Sequence, residues 1–316
     1  GRTIEYVRLS LTDACNFCCP YCRPAEITPQ SQTQLLSVDE WMTILGAFHH
    51  IGVKAVRLTG GEPLLYPHIE ELLGRIKESG WFEDISMTTN GSLLASRAQR
   101  LKKFGLNRVN ISLDSLETEA FATCVGKTGQ LESVLDGIRS AINANFKSVK
   151  INTVLSRYWS DDEVKALLQY VEKWPVVWRF IEYMPFQGDA FHAPTFDEWK
   201  AQLERVSGGP LTEVHSVYGF GPATYLALPS GKAIGFIFSM SHSYCDTCNR
   251  VRLTSDGQMR LCLLRDDEAD LVSLVRNGVT EEDLAIHIER ALQRKQERHD
   301  GIGMEQPERP MWRIGG

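Results

Sequence analysis

The chain has 316 residues, of which 43% are hydrophobic and 23% charged, enough to bury a large core in one or two domains. Its 34 basic and 40 acidic side chains leave a formal charge of −6, which excludes bulk attraction to nucleic acid or an anionic membrane. An anionic ligand therefore needs a local cluster of Arg and Lys. No apolar run approaches the roughly 18 residues of a membrane span, and the N-terminus lacks the basic-then-apolar order of a signal peptide, so a cytoplasmic location is expected.

In chain order, strands are expected at 6–12, 55–59, 85–89, 108–114, 148–155 and 177–184, with helix-like stretches between them. Ser37-Val38-Asp39-Glu40 and Ser160-Asp161-Asp162-Glu163 are capping boxes that mark two helix starts. Gly60-Gly61, Asn90-Gly91 and Asp114 stand at strand ends in the β-to-α direction, where an active-site rim forms. Six strand–helix units predict an α/β fold, an incomplete (β/α)6 barrel of TIM type, with every strand end on one side by the crossover rule. After Pro185 the sequence becomes Gly- and Pro-rich, as in Ser207-Gly208-Gly209-Pro210 and Tyr218-Gly219-Phe220-Gly221-Pro222. A boundary near residue 190 is expected, giving a barrel over 1–190 and a C-terminal domain over 191–316. A strand at 233–240, a helix at 281–295 and a terminal Gly315-Gly316 complete the second part.

The eight cysteines are clustered, with four in Cys15–Cys22, three in Cys245–Cys262 and Cys124 alone, which points to metal or redox chemistry rather than cross-links. Cys124 reads as a small buried apolar residue. In the loop after the first strand, Cys15, Cys19 and Cys22 form Cys-x3-Cys-x2-Cys, with Tyr21 before the last thiol and Cys18 as a bystander. Three thiolates can hold three corners of a [4Fe–4S] cube and leave its fourth iron open to the amino and carboxylate groups of S-adenosylmethionine (SAM). A closed zinc site is the alternative, and x3-x2 spacing suits it poorly. Cys245, Cys248 and Cys262 make a second trio, Cys-x2-Cys-x13-Cys, which suits a second open [4Fe–4S] cluster, or zinc if His242 were a fourth ligand. Arg250 and Arg252 share one face if their segment is a strand, and could clamp phosphates. Gly126-Lys127-Thr128 is not a P-loop, because Phe121 occupies the place of its first glycine. The basic stretch 290–298 reads as a solvated helix face.

The first trio together with Gly60-Gly61-Glu62-Pro63 resembles the radical SAM superfamily. Along nearly its whole length the chain resembles the GTP 3′,8-cyclase family of molybdenum cofactor biosynthesis. Thr12-Asp13, Arg57 to Pro63, Thr88-Thr89-Asn90-Gly91, Ile111 to Ser115, Val149 to Val154, Arg179 to Pro185, the second trio and the final Gly-Gly carry that likeness. The resemblance implies two [4Fe–4S] clusters, with SAM held by Tyr21, Gly61, Glu62, Ser112 and Met184. It places Arg8, Arg57, Thr88, Lys150, Arg179, Arg250 and Arg252 around GTP, and sends a tail of Arg313, Gly315 and Gly316 into the active site. It further implies an external electron donor, a downstream pyranopterin-forming enzyme and a homodimer as partners. Ala14 and Ala55 depart from the family pattern, so a relative acting on another nucleotide or on a peptide stays open as an alternative, as does a zinc-binding interaction module.

Overall fold

The structure is a computed structural model, and it describes residues 3–23, 35–184, 193–214, 219–298 and 309–315. Its spine is six strands, β1 (Tyr6–Ser10), β2 (Ala55–Thr59), β3 (Asp84–Thr89), β4 (Arg108–Ser112), β5 (Ser148–Leu155) and β6 (Val177–Glu182), each parallel to the next. Between them run α1 (Val38–His50), α2 (Ile69–Ser79), α3 (Ala98–Lys103), α4 (Thr118–Val125), α5 (Leu131–Asn143) and α6 (Asp161–Lys173), and α7 (Phe196–Ser207) follows β6. This is the expected six-unit α/β core. Several strands stop earlier than expected, as at Ser10 instead of residue 12, because the chain turns there into a loop.

Alternation along the strands fixes their two faces. Val7 and Leu9, Val56 and Leu58, Ile85 and Met87, and Val109 and Ile111 join the hydrophobic core beneath the helices. The intervening residues, such as Arg8, Arg57, Thr88 and Ser112, face a cavity on the other side. The barrel is thus apolar outside its sheet and polar within, so a one-residue register slip would bury charges under the helices.

The remaining strands are β7 (Thr212–Glu213), β8 (Thr224–Ala227), β9 (Ala233–Ile237), β10 (Arg250–Leu253), β11 (Gln258–Arg260) and β12 (Glu268–Asp270). They extend the same sheet at both edges, in the order β12-β11-β10-β1-β2-β3-β4-β5-β6-β9-β8-β7. Because β10 is parallel to β1 and β9 to β6, the parallel part of the sheet is eight strands wide. Ile237 near one end of this row and Arg250 near the other line the same cavity, so the sheet curls into an open barrel. The expected boundary near residue 190 lies outside the described residues, and strands from both sides of it share the sheet. After the short α8 (Val272–Arg276), α9 (Glu281–Leu292) packs on α1.

Both capping boxes form as expected. Ser160 Oγ accepts from the Glu163 amide at 3.3 Å and Glu163 Oε2 accepts from the Ser160 amide at 2.8 Å. Thr195 and Glu198 make a third box at the start of α7. Ser160→Ala should therefore lower unfolding free energy by about 1 kcal/mol, read as a lower urea midpoint.

Candidate active site

The first cysteine loop is pinned where β1 and β2 end. The Gly61 amide donates to Thr12 O at 2.7 Å and the Glu62 amide to Ala14 O at 2.8 Å. A Cβ on Gly61 would lie 2.4 Å from Ala14 O and 2.8 Å from Asp13 O, so glycine is required for this approach. The Cys22 and Arg23 amides both donate to Cys19 O, at 2.9 and 2.8 Å, closing a turn that sets Cys15, Cys19 and Cys22 around the cavity. Burial pushes the Cys22 thiol up to about 12, with the Cys15 charge adding to it, and raises Cys15 and Cys19 as well. Cys18 lies against the end of α4, its amide donating to Val125 O at 2.9 Å. Cys124 on α4 is half-buried.

Two buried carboxylates hold this end of the barrel. Glu62, fully buried, turns from the cavity and accepts from the Leu64 amide, Thr89 Oγ1 and the Asn90 amide at 3.0, 2.7 and 2.8 Å. Burial lifts its pKa to about 7 against the pull of these bonds. It thereby bolts the end of β2 to the end of β3. Asp114, just past β4, accepts from Tyr21 Oη at 2.7 Å and from the Val154 amide at 2.8 Å, and burial raises it to about 6. Tyr21, Gly61, Ser112 and Met184, which the resemblance assigns to SAM, all line the cavity, whereas Glu62 supports its wall.

The middle of the barrel is cationic. Register sets Arg57, Arg8 and Arg252 side by side on β2, β1 and β10, and pairs Tyr6 with Arg250. Arg57 donates to Ser86 Oγ at 3.2 Å and lies over the Tyr6 ring, 5.1 Å from its centre. Arg179, 1% exposed, is aimed by Asn152 Oδ1 at 2.6 Å and Asn110 Oδ1 at 2.8 Å. Burial, with neighbouring guanidinium groups, pulls Lys150 down to about 6 and Arg8 well below the usual arginine range; burial also lowers Arg179 and Arg252 to about 10. Six of the seven expected substrate residues line the cavity, and Lys150 stands behind them, 4% exposed. Arg108, by contrast, is neutralised by Asp84 at 2.7 Å.

The second trio lies towards the opposite end. Asn249 O accepts from the Glu5 and Tyr6 amides at the start of β1, whereas Cys15 follows the end of that strand. Five residues at about 3.3 Å each separate these levels by roughly 16 Å. Cys245 and Cys248 sit in a tight turn, and Cys262 follows β11, whose antiparallel course returns it to the same end. Glu182, at the end of β6, accepts from the Met240 and Ser241 amides at 2.6 and 3.1 Å and fixes the approach to this turn. The three thiols line a smaller pocket that shares Met184, Tyr244, Arg250 and Arg252 with the main cavity. Among the described residues, no three thiol, imidazole or carboxylate groups close around a single metal ion.

The tail is only partly as expected. Gly315 has φ +70°, and a Cβ there would meet Thr59 and Ser10 at 2.9 and 3.1 Å, so the tail runs against the ends of β1 and β2. Arg252 donates to Gly315 O at 2.7 Å. Arg313, however, is exposed, with its guanidinium over the Trp312 ring at 5.0 Å, while Met311 lines the cavity. Gly316 lies outside the described residues. The sequence reading placed Asp114 on the rim but gave no role to Asn110, Asn152, Glu182 or Tyr244. All of these except Tyr244 are polar residues in or at the end of a strand, and that was the available signal.

Comparison with known proteins adds the following. The pattern of the Radical SAM superfamily matches residues 9–171, and that of Molybdenum Cofactor Synthesis C matches 176–301. A GTP 3′,8-cyclase of Pelotomaculum thermopropionicum is 38% identical over 320 residues, spanning 100% of this chain and 98% of that protein. Molybdenum cofactor biosynthesis protein 1 of Mus musculus is 37% identical over 100% of this chain and 50% of its own length. Among solved structures, Streptococcus suis SuiB with S-adenosylmethionine bound aligns over 90% of this chain and 68% of its own, at TM-score 0.64 and 16% identity, a likeness of fold.

Gly61→Ala tests the close approach that shapes the first loop. Overpacking of this kind costs about 1–3 kcal/mol, so a lower melting temperature and reduced iron loading are expected together. A variant with both unchanged would show that the loop accommodates a methyl group.

Proposed function

The chain belongs to the GTP 3′,8-cyclase family, radical SAM enzymes of molybdenum cofactor biosynthesis, and we propose that its two cysteine trios hold a [4Fe–4S] cluster each, at opposite ends of one lumen in which GTP is cyclised to 3′,8-cyclo-7,8-dihydro-GTP. The observation that carries this reading is the row of cations between the two trios, half-buried at Arg8 and Arg57 and buried at Arg252, Arg179 and Lys150. Arg8, Arg57 and Arg252 are adjacent on three strands, with Arg179 and Lys150 across the lumen, and a triphosphate supplies the compensating charge. The donor sets fit the clusters: three thiols at each site face open space, and burial raises the pKa values of the first trio, so a cationic group must replace their protons. When bound, the first cluster and SAM supply the electron and the 5′-deoxyadenosyl radical that open the reaction.

The chain's own residues bind and orient. Tyr21, Gly61, Ser112 and Met184 form the wall against which SAM rests, and Tyr21 is locked by Asp114. Arg250 and Arg252 stand where the two pockets meet, between the phosphate-binding cations and the second trio, which anchors the guanine end. Holding the ribose between the two sites limits which hydrogen a reactive radical can reach. Arg252 also holds the tail carbonyl, so the tail and the nucleotide meet at this guanidinium. A low-potential one-electron donor and a downstream pyranopterin-forming enzyme complete the reading. No helix among the described residues is long and apolar enough to cross a membrane.

Anaerobic incubation with GTP, SAM and dithionite, followed by mass analysis, tests the function directly. Cys245→Ala should keep the first cluster and uncoupled SAM cleavage but lose cyclised product, whereas Cys15→Ala should lose both. Unimpaired cyclisation by Cys245→Ala would remove the anchoring role of the second trio.

Lys150 gives a second test. Its pKa of about 6 leaves it mostly neutral at pH 7.5, and a nearby triphosphate favours the ammonium form and raises that pKa. GTP binding should therefore take up a fraction of a proton approaching one between about pH 6 and the ordinary lysine range. Titration calorimetry in buffers of different ionisation enthalpy measures this uptake, and Lys150→Met should abolish it.

A further inference from the structure

Asn90 stands one residue beyond β3, between the polar wall of the cavity and the first cysteine loop. Its backbone amide is held by Glu62 Oε2 at 2.8 Å. Its side chain belongs to a closed ring of three residues. Asn90 Nδ2 donates to Asn16 Oδ1 at 2.8 Å, Asn16 Nδ2 donates to Ser92 Oγ at 2.9 Å, and Ser92 Oγ donates to Asn90 Oδ1 at 2.7 Å. The Ser92 amide adds a second donor to Asn90 Oδ1 at 3.0 Å.

This ring decides which way the amide points. Flipping Asn90 would set its NH2 against the Ser92 N–H and break the head-to-tail order of all three bonds. The orientation that remains directs Nδ2 towards Cys15 Sγ, at 3.9 Å. Cys15 Sγ also accepts from the Phe17 amide at 3.4 Å. A donor held on a cluster-ligating sulfur stabilises the added negative charge of the reduced cluster and raises its potential. An unconstrained amide would not do so reliably.

We propose that Asn90 tunes the reduction potential of the SAM-cleaving cluster through an N–H···S bond to Cys15, with Asn16 and Ser92 as positioning residues that fix its amide. The inference rests on the reading that Cys15 ligates this cluster. The step concerned is a one-electron reduction by a low-potential donor, from the 2+ to the 1+ cluster, in which no bond forms or breaks and no proton moves. Glu62 enters as the backbone anchor of the same residue.

The test is an EPR-monitored redox titration of the reconstituted holoenzyme, following the cluster signal that SAM perturbs. Asn90→Leu removes the donor without adding charge, and its midpoint should be more negative than wild type. Ser92→Ala keeps the donor but loosens its orientation, and should shift the midpoint the same way by less. In wild-type holoenzyme labelled with 15N at the asparagine side-chain amide, pulsed EPR should resolve a weak 15N coupling to the reduced cluster, absent in Asn90→Leu. Should Asn90→Leu fail to load iron, the labelled wild-type protein alone decides, and no 15N coupling overturns the proposal. An unchanged midpoint in an iron-replete Asn90→Leu overturns it equally. Cys15→Ala separates the premise, because retention of the SAM-responsive signal there would refute the ligand assignment and not the tuning.

Discussion

Three arginines in register on adjacent parallel strands are the constraint around which this molecule is built. Arg57, Arg8 and Arg252 occupy matched positions on β2, β1 and β10, and neighbouring strands are only about 4.8 Å apart. Like charges set opposite one another in a sheet destabilise it, and burial adds to the cost. The fold tolerates them because everything behind the sheet is well packed: Val7, Leu9, Val56 and Leu58 alternate with the cations and are fully buried under the helices. The apolar face holds the strands together, and the polar face turns the cations towards the lumen.

A division of charge along the barrel follows. Cations occupy its middle, and buried carboxylates occupy the strand ends. Glu62 ties β2 to β3, Asp114 ties β4 to Tyr21 and β5, and Glu182 ties β6 to the segment before Cys245. Each spends its oxygens on backbone amides or hydroxyls of strand ends and of the loops that follow them. Carboxylates so occupied do not neutralise the guanidinium groups, so the lumen keeps its charge while the strand ends gain rigidity. The exception is Asp84, which neutralises Arg108 at the end of the row away from the first trio.

Much of this was legible in the sequence, for reasons that are local. Cysteine spacing, capping boxes and two-residue alternation are short-range patterns, and the six-unit core and the helix starts at Val38 and Asp161 follow from them, whereas it was the family resemblance that singled out the cations found along the cavity. What escaped depends on long-range direction. The family resemblance assigns Glu62 to the cofactor, yet its side chain is absent from the cavity lining, because Leu64, Thr89 and Asn90 donate to it. The alternation of Arg250 and Arg252 indicates a strand, but nothing in those residues says that the strand pairs with β1. Arg313 is close in sequence to Gly315, yet it is exposed, with its guanidinium over the Trp312 ring. Sequence distance gives proximity along the chain, while side-chain direction depends on which partners, near or far, each side chain meets.

The connection from β9 to β10 shows how those partners make the site possible. Parallel strands are ordinarily joined by a helix outside the sheet. Here residues 238–249 run as a loop from the far end of β9 to the start of β10, and both strands lie on opposite flanks of the six-strand core. A helix on the outer face would have carried Cys245 and Cys248 away from the lumen. The loop carries them to the level of Asn249 and Tyr6 instead, with Glu182 fixing its first residues and the β1–β10 ladder fixing its last. The same path keeps β9 and β10 apart, since the ladders placed on them lead outwards to β8 and to β11. An open barrel is therefore the geometric consequence of bringing a second cysteine site to the lumen.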